Sequence, residues 1–384
     1  LDVSADERFV LLLDGRVVAR GPDRGTVERW AYQSYRIEPA PGRHVLEAVV
    51  WWLGPFAPMA QLSFRGGFIL KADGPNGAAL TTGAPGNGWQ VAELTGLETL
   101  GPGGDTFGVG GEFVQHGTSI FDADAAGTND VTPFVVRDAI GGDTGYGGNW
   151  PGWRLFPSQL PDQTERACAP GAIRAVAPTD NPNAPFPAGT AGCGAWNALL
   201  ERGEALTLST GTCQTVAWDL GDYYCAYPDL AVVGGGKGSR IAWGWTESLY
   251  GQDGHRGDRD AFVNKRFFGV TDRFLPDGGE NRFTTPWWRC GRWCVLSVRV
   301  GDAPLTVRRL GIVETRYPLP DAESFACDDP SLGAVRRLCA RGQQMCAHEM
   351  FFDCPYYEQQ MYPGDTRVQL LTAGILASDD RLIR

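Results

Sequence analysis

The residues best suited to chemistry are three acids in one run, Asp353-Cys354-Pro355-Tyr356-Tyr357-Glu358-Gln359-Gln360-Met361-Tyr362-Pro363-Gly364-Asp365. Asp353, Glu358 and Asp365 are interleaved with Tyr356, Tyr357 and Tyr362, and Phe351 and Phe352 precede them. Acids crowded among rings suit neither a dry core nor a solvated loop. They suit a sugar: rings offer flat apolar faces to its C–H groups, and carboxylates accept hydrogen bonds from its hydroxyls. A carboxyl held beside other carboxylates or apolar surface has its pKa raised. It can then stay protonated and act as a general acid near neutral pH.

From Ser324 to Arg384 this run and its surroundings resemble the start of the catalytic domain of bacterial α-L-rhamnosidases, glycoside hydrolase family 78. That family carries an Asp-Cys-Pro-x-x-Glu…Gly-Asp signature at this spacing, followed in several members by the equivalent of Gly364-Asp365-Thr366-Arg367. The commoner version of the motif has Arg near Tyr357 and Trp near Tyr362. The resemblance implies an inverting glycosidase that releases terminal α-L-rhamnose from a glycoside or oligosaccharide and needs no cofactor. By position, Glu358 matches the general acid. Asp353 and Asp365 match acids that hold rhamnose hydroxyls and help keep Glu358 protonated. Tyr356, Tyr357 and Tyr362 are candidate stacking groups, with core packing the other reading of each. Arg367 reads either as a charge partner for one of the acids or as part of a solvated helix face, and His348 reads as a hydrogen-bonded helix histidine, with a catalytic role the other reading. The second, water-activating acid has no match here and is expected beyond Arg384.

Composition narrows the alternatives. A net charge of −11 and an isoelectric point near 4.9 argue against nucleic acid and against an anionic polysaccharide as ligands. No apolar run approaches the ~18 residues that span a bilayer. Ten cysteines lack the spacing of a zinc site, and no metal is expected. They read as free thiols, with Cys193–Cys213, Cys193–Cys225 and Cys290–Cys294 the conceivable disulfides. The acidic-basic stretch Asp253–Asp260 reads as an exposed loop; only Asp258 and Asp260 alternate, Arg256 takes the place before them, and no calcium loop is complete. Compartment and oligomeric state cannot be read.

The elements that must position the acids follow a clear order. Asp14-Gly15 between two β-rich runs predicts a hairpin with a type I′ turn. With Arg43–Trp52 and later short apolar runs it predicts a jelly-roll sandwich, and Val10–Trp52 resembles the galactose-binding-like domains of the family. Gly141–Trp153, with Tyr146, Trp150 and Trp153, reads as an aromatic loop packed beneath its neighbours. Phe156–Glu165 reads as an extended linker. Short strands at Val216–Leu220, Leu230–Val233, Arg240–Trp245 and Val298–Val300 predict a second sandwich. At Asp329-Pro330 the period changes to that of a helix, with Leu332, Val335, Leu338, Cys339, Cys346 and Met350 on one buried face. Asp365 is expected to cap a second helix bearing Val368, Leu371 and Ile375.

The expected architecture is therefore multidomain: a galactose-binding-like β-sandwich over 1–160, a second jelly-roll-like β-sandwich over 161–322, and the first helices of an (α/α)6 barrel, truncated, over 323–384. Two other functions fit the residues. One is a carbohydrate-binding β-sandwich protein with a vestigial barrel. The other is another inverting glycosidase or an unsaturated-uronyl hydrolase on the same barrel.

Overall fold

The chain begins with a hairpin whose turn the sequence dictates. Strands Arg8–Leu13 and Arg16–Gly21 pair antiparallel across Asp14 and Gly15, both at positive φ (50° and 71°), as a type I′ turn requires. Asp14 also accepts the Val45 N–H at 2.9 Å, fixing the next strand, Leu46–Trp51, beside the hairpin. The computed structural model describes residues 1–26, 28–63, 65–83, 88–101, 110–117, 153–320 and 326–384, with backbone alone at 128–130. Of the expected aromatic loop, 141–152 lies outside the described residues. Trp153 donates its indole N–H to Asp6 at 3.0 Å and so packs on the first sandwich.

The protein is mostly β, with few helices. The three-stranded sheet of the hairpin and Leu46–Trp51 faces a four-stranded sheet ordered Leu155–Pro157, Trp30–Ser34, Asp2–Asp6, Gly67–Lys71. Val3, Ala5 and Leu70 from one sheet meet Phe9, Leu11 and Ala19 from the other, all buried, which makes this a sandwich.

The larger β region is one continuous hydrogen-bonded sheet of 11 strands among the described residues. Its centre is the 22-residue strand Cys213–Gly234. The two short strands expected at 216–220 and 230–233 are thus one strand, and the sequence suggests a break only because the strand bends. Its pairing with Arg289–Arg299 shifts register between Asp219 and Tyr224, around Gly221 at φ 76°. The core is rich in rings: Trp218, Trp243, Trp245, Phe274 and Phe283 are essentially inaccessible.

The expected boundary at 160/161 does not divide the hydrogen bonding. Leu97–Leu100 and Glu112–His116 precede it, yet they extend the larger sheet, Glu112–His116 running parallel to Val270–Leu275. Nor is Phe156–Glu165 purely a linker. Its first residues pair with Trp30–Ser34 and its last with Leu305–Arg316, so a short passage joins two sheets.

Two helices close the chain, Pro330–Met345 and Pro363–Leu376. Asp329 caps the first as expected, accepting the Ser331 N–H at 2.9 Å ahead of Pro330. The second is not capped by Asp365. Tyr362 is its N-cap, Pro363 starts the first turn, and Asp365 lies within that turn, where its charge suits the helix dipole. The apolar stripes are also not buried as expected. Leu332, Val335 and Leu338 are exposed, as are Val368, Leu371 and Ile375. The face that packs is Ala340, Gln343, Gln344 and Met345. Arg341 ties it to the larger sheet through Glu314 at 2.6 Å and the Tyr223 carbonyl. Among the described residues, no helix is long and apolar enough to cross a membrane.

Candidate active site

The run between the two helices is a tight loop, with the Asp353 N–H donating to the Gln360 carbonyl at 2.9 Å and the Gln359 N–H to that of Cys354 at 3.0 Å. This closure brings Asp353, Cys354 and Glu358 together, so that one oxygen or sulfur of each lies within 4.8 Å of the others. Asp353 and Glu358 are partly buried. The Tyr362 hydroxyl donates to Glu358 Oε2, and that bond pushes the phenol up to about 12. One oxygen of Asp353, Oδ1, is buried with no protein hydrogen bond. Burial, opposed by the Tyr357 N–H and aided by Asp353, raises the Cys354 thiol to about 12, so Cys354 stays protonated. Three donor atoms fall short of the six to eight oxygens of a calcium site.

The other expected site residues separate into exposed and buried groups. Asp365 and Arg367 are exposed on the first turn of Pro363–Leu376. No ion pair joins Arg367 to an acid among the described residues, so the expected charge pairing is not formed. Tyr356 is only 3% exposed; its hydroxyl donates to the Trp245 carbonyl at 2.7 Å and accepts the Val270 N–H at 3.3 Å. It anchors the loop on the larger sheet and offers no face to a ligand, contrary to the stacking role considered for it. Tyr357, set edge-on to Tyr356 with centroids 4.7 Å apart, is partly exposed and remains a candidate wall.

His348 lies just beyond the first helix, not within it. Its ring packs against both Trp288 and Phe352, with centroids 4.2 and 5.3 Å away, and those two rings lie 6.0 Å from each other. Burial, with the Arg24 charge nearby, lowers its pKa to about 3, so the imidazole is neutral and structural.

Several site residues come from regions the motif does not reveal. Arg256, in the acidic loop of the larger sheet, donates to the Tyr357 hydroxyl, to Tyr250 at 2.9 Å and to Glu247 at 2.8 Å. Phe268, 43% exposed, meets Tyr250 edge-on at 5.4 Å. Lys265 donates to the Arg256 and Asp258 carbonyls, so an ammonium braces this loop from within. Arg256 was the one visible signal, as a basic residue interrupting an acidic stretch. The ten cysteines are all free, as expected, and none of the conceivable disulfides forms.

Fold and loop together define a protein of stacked β-sheets carrying a carboxylate loop at a helical junction. Residues 320–383 match the family model for the bacterial alpha-L-rhamnosidase six-hairpin glycosidase domain. The family 78 rhamnosidase of Bacillus sp. GL1 has a similar fold over 100% of this chain, with TM-score 0.73 and 16% identity, and the chain covers 58% of that protein. The alpha-L-rhamnosidase of Dictyoglumus thermophilum is similar over 96% of this chain and 36% of its own length, with TM-score 0.52 and 13% identity. No curated protein matches the chain. The resemblance to bacterial α-L-rhamnosidases carried by the carboxylate motif is thus present in both the matched segment and the fold. The chain spans well under two thirds of the length of these solved structures.

Proposed function

We propose that the chain belongs to an inverting glycosidase that releases terminal α-L-rhamnose from a rhamnose-containing glycoside or oligosaccharide. The observation that carries the reading is the loop at 353–365, where the matched glycosidase segment coincides with a carboxylate cluster closed by its own hydrogen bonds. Glu358 is the general acid, protonating the departing oxygen. Asp353, with a free buried oxygen, and Asp365, exposed at the rim, hold hydroxyls of the sugar. Tyr357 flanks the sugar, and Arg367, exposed two residues after Asp365, is assigned to substrate binding with it. Inversion uses a second carboxylate ~6.5–9.5 Å from the first to activate water. Residues 323–384 are then the opening of an (α/α)6 barrel, following the two sandwich regions, with 97–116 assigned to the second of them.

The test is release of free rhamnose from a rhamnoside by the complete gene product, with the anomer followed by NMR. Release of the inverted anomer supports the proposal. Retention of configuration overturns the mechanism, and sugar binding without any hydrolysis overturns the activity in favour of a binding protein. Hydrolysis of a different aryl glycoside in preference to the rhamnoside overturns the substrate.

A further inference from the structure

Gln359, directly after Glu358, is the most heavily anchored residue of the carboxylate loop. It is fully buried, and its φ of 51° lies in the left-handed region that a non-glycine residue adopts at a cost. Surrounding bonds must therefore hold it there, and they come from both β regions. Its side-chain carbonyl accepts the Trp287 indole N–H at 2.7 Å, and its side-chain amide donates to the Pro355 carbonyl at 3.0 Å. Its main-chain carbonyl accepts Nη1 of Arg24 at 2.7 Å.

Arg24 is itself fixed. Its side chain is 1% exposed, and its guanidinium lies over Phe352 at 5.1 Å and Trp287 at 5.4 Å. Glu349 faces its Nε at 3.5 Å and accepts its backbone N–H at 3.1 Å. The same carboxylate accepts Nη2 of Arg8 at 2.7 Å. The N-terminal region and the larger sheet thus converge on one residue, Gln359, the one following the candidate acid. The Glu358 carboxylate is held by Tyr362 of its own loop. The geometry of its backbone is set through Gln359.

We infer that Arg24 and Trp287 are positioning residues for Glu358, acting through Gln359, so that the first sandwich is a working part of the acid's geometry. The inference rests on the reading of Glu358 as the general acid. A left-handed Gln359 buries its own side chain and fixes the turn that immediately follows Glu358. Loosening that turn lets the carboxyl drift from the departing oxygen. A misplacement of about 1 Å costs up to ~10²-fold in rate. The loss falls on the step that needs the proton, and a good leaving group departs without one.

The test uses the complete gene product and two rhamnosides, one with a sugar or flavonoid aglycone and one with p-nitrophenol. Trp287→Phe keeps an aromatic ring beneath the arginines and removes the indole N–H, at the cost of a smaller ring in a buried site. Arg24→Lys keeps the charge and removes the guanidinium fork. Both variants should lose about 10- to 100-fold in kcat/KM on the poor leaving group and several-fold less on p-nitrophenyl rhamnoside. Glu358→Gln should show the same asymmetry more strongly. Equal losses on both substrates, or none, in a Trp287→Phe protein with unchanged circular dichroism overturn the inference while Glu358→Gln keeps its asymmetry. If Glu358→Gln shows no asymmetry, the assignment of the acid fails and the positioning role fails with it. Should Arg24→Lys not fold, Trp287→Phe decides alone.

Discussion

Within the carboxylate loop the three acids occupy different surroundings, and substitutions should tell them apart. Glu358→Gln removes the proposed proton donor, whose help would be worth ~10²–10⁴-fold. Asp353→Asn should instead weaken sugar binding for good and poor leaving groups alike, raising KM by the same factor for both. Steady-state kinetics on the two rhamnosides checks this, and an Asp353→Asn loss confined to the poor leaving group would contradict the division of roles. The identities and spacing of these acids were legible in the sequence, because all three lie within one short run that spans the loop and the first turn of the following helix. The fate of Tyr356 was not. Its partners, Trp245 and Val270, are distant in sequence, so nothing near Tyr356 distinguishes an anchoring ring from a sugar-stacking one. Arg24 and Trp287 stayed hidden for the same reason: each reaches the loop from another part of the chain.

At the scale of elements, turns and caps were readable where one or two residues decide them. Asp14-Gly15 folds as a type I′ turn and Asp329-Pro330 opens a helix. The second cap failed because Pro363 starts the helix ahead of Asp365. The periodicity of Leu332, Val335 and Leu338 correctly marks a helix, but periodicity does not say which face meets the rest of the protein. Two acids in the connections between the N-terminal strands make stability depend on pH. Glu7 is raised to about 7, chiefly by burial, against the opposing N–H groups of Leu53 and Gly54. Asp23 is also raised to about 7, by burial and then by Glu349. For both, the native state keeps a proton that the unfolded chain has released between about pH 4 and 7. Their stabilisation is full below the unfolded value and lost as pH rises through 7, with a slope of at most about 1.4 kcal/mol per pH unit per group. Thermal unfolding should therefore show a higher Tm at pH 5 than at pH 8, with a smaller difference in Asp23→Asn. A Tm that rises over this range would contradict the assignment.

Across the whole molecule, one buried carboxylate joins distant parts. Glu349 meets Arg8 and Arg24, with its own side chain 9% exposed and those of the arginines 6% and 1%. Glu349→Ala leaves both guanidiniums buried without their charge partner and should cost about 3–5 kcal/mol, read from denaturant unfolding. A loss below about 1 kcal/mol would mean that the junction is wetter or more pliant than its burial indicates. The residues described here also make a prediction about activity. Asp353 comes within 4.8 Å of Glu358, too close to admit the water of an inverting reaction, and Asp365 is assigned to substrate hydroxyls. A protein consisting of residues 1–384 should release rhamnose no faster than its Glu358→Gln variant. The exposed stripes on its two helices should make it prone to association. Turnover clearly above that control would show that a base lies within these residues.

The strands at 97–116 also bear on how this protein can be divided. Arg289 and Asp272, both fully buried, form a pair at 2.8 Å that also holds the Gly111 carbonyl at 2.6 Å and the Phe113 N–H at 3.0 Å. A cut at 160/161 would strip away the partners of that pair and leave Val270–Leu275 as a bare sheet edge, a template for pairing between molecules. The larger β region is therefore best isolated with residues from 97 onward attached, and an insoluble product from a later start would reflect the missing strands and not an inability of the sheet to fold.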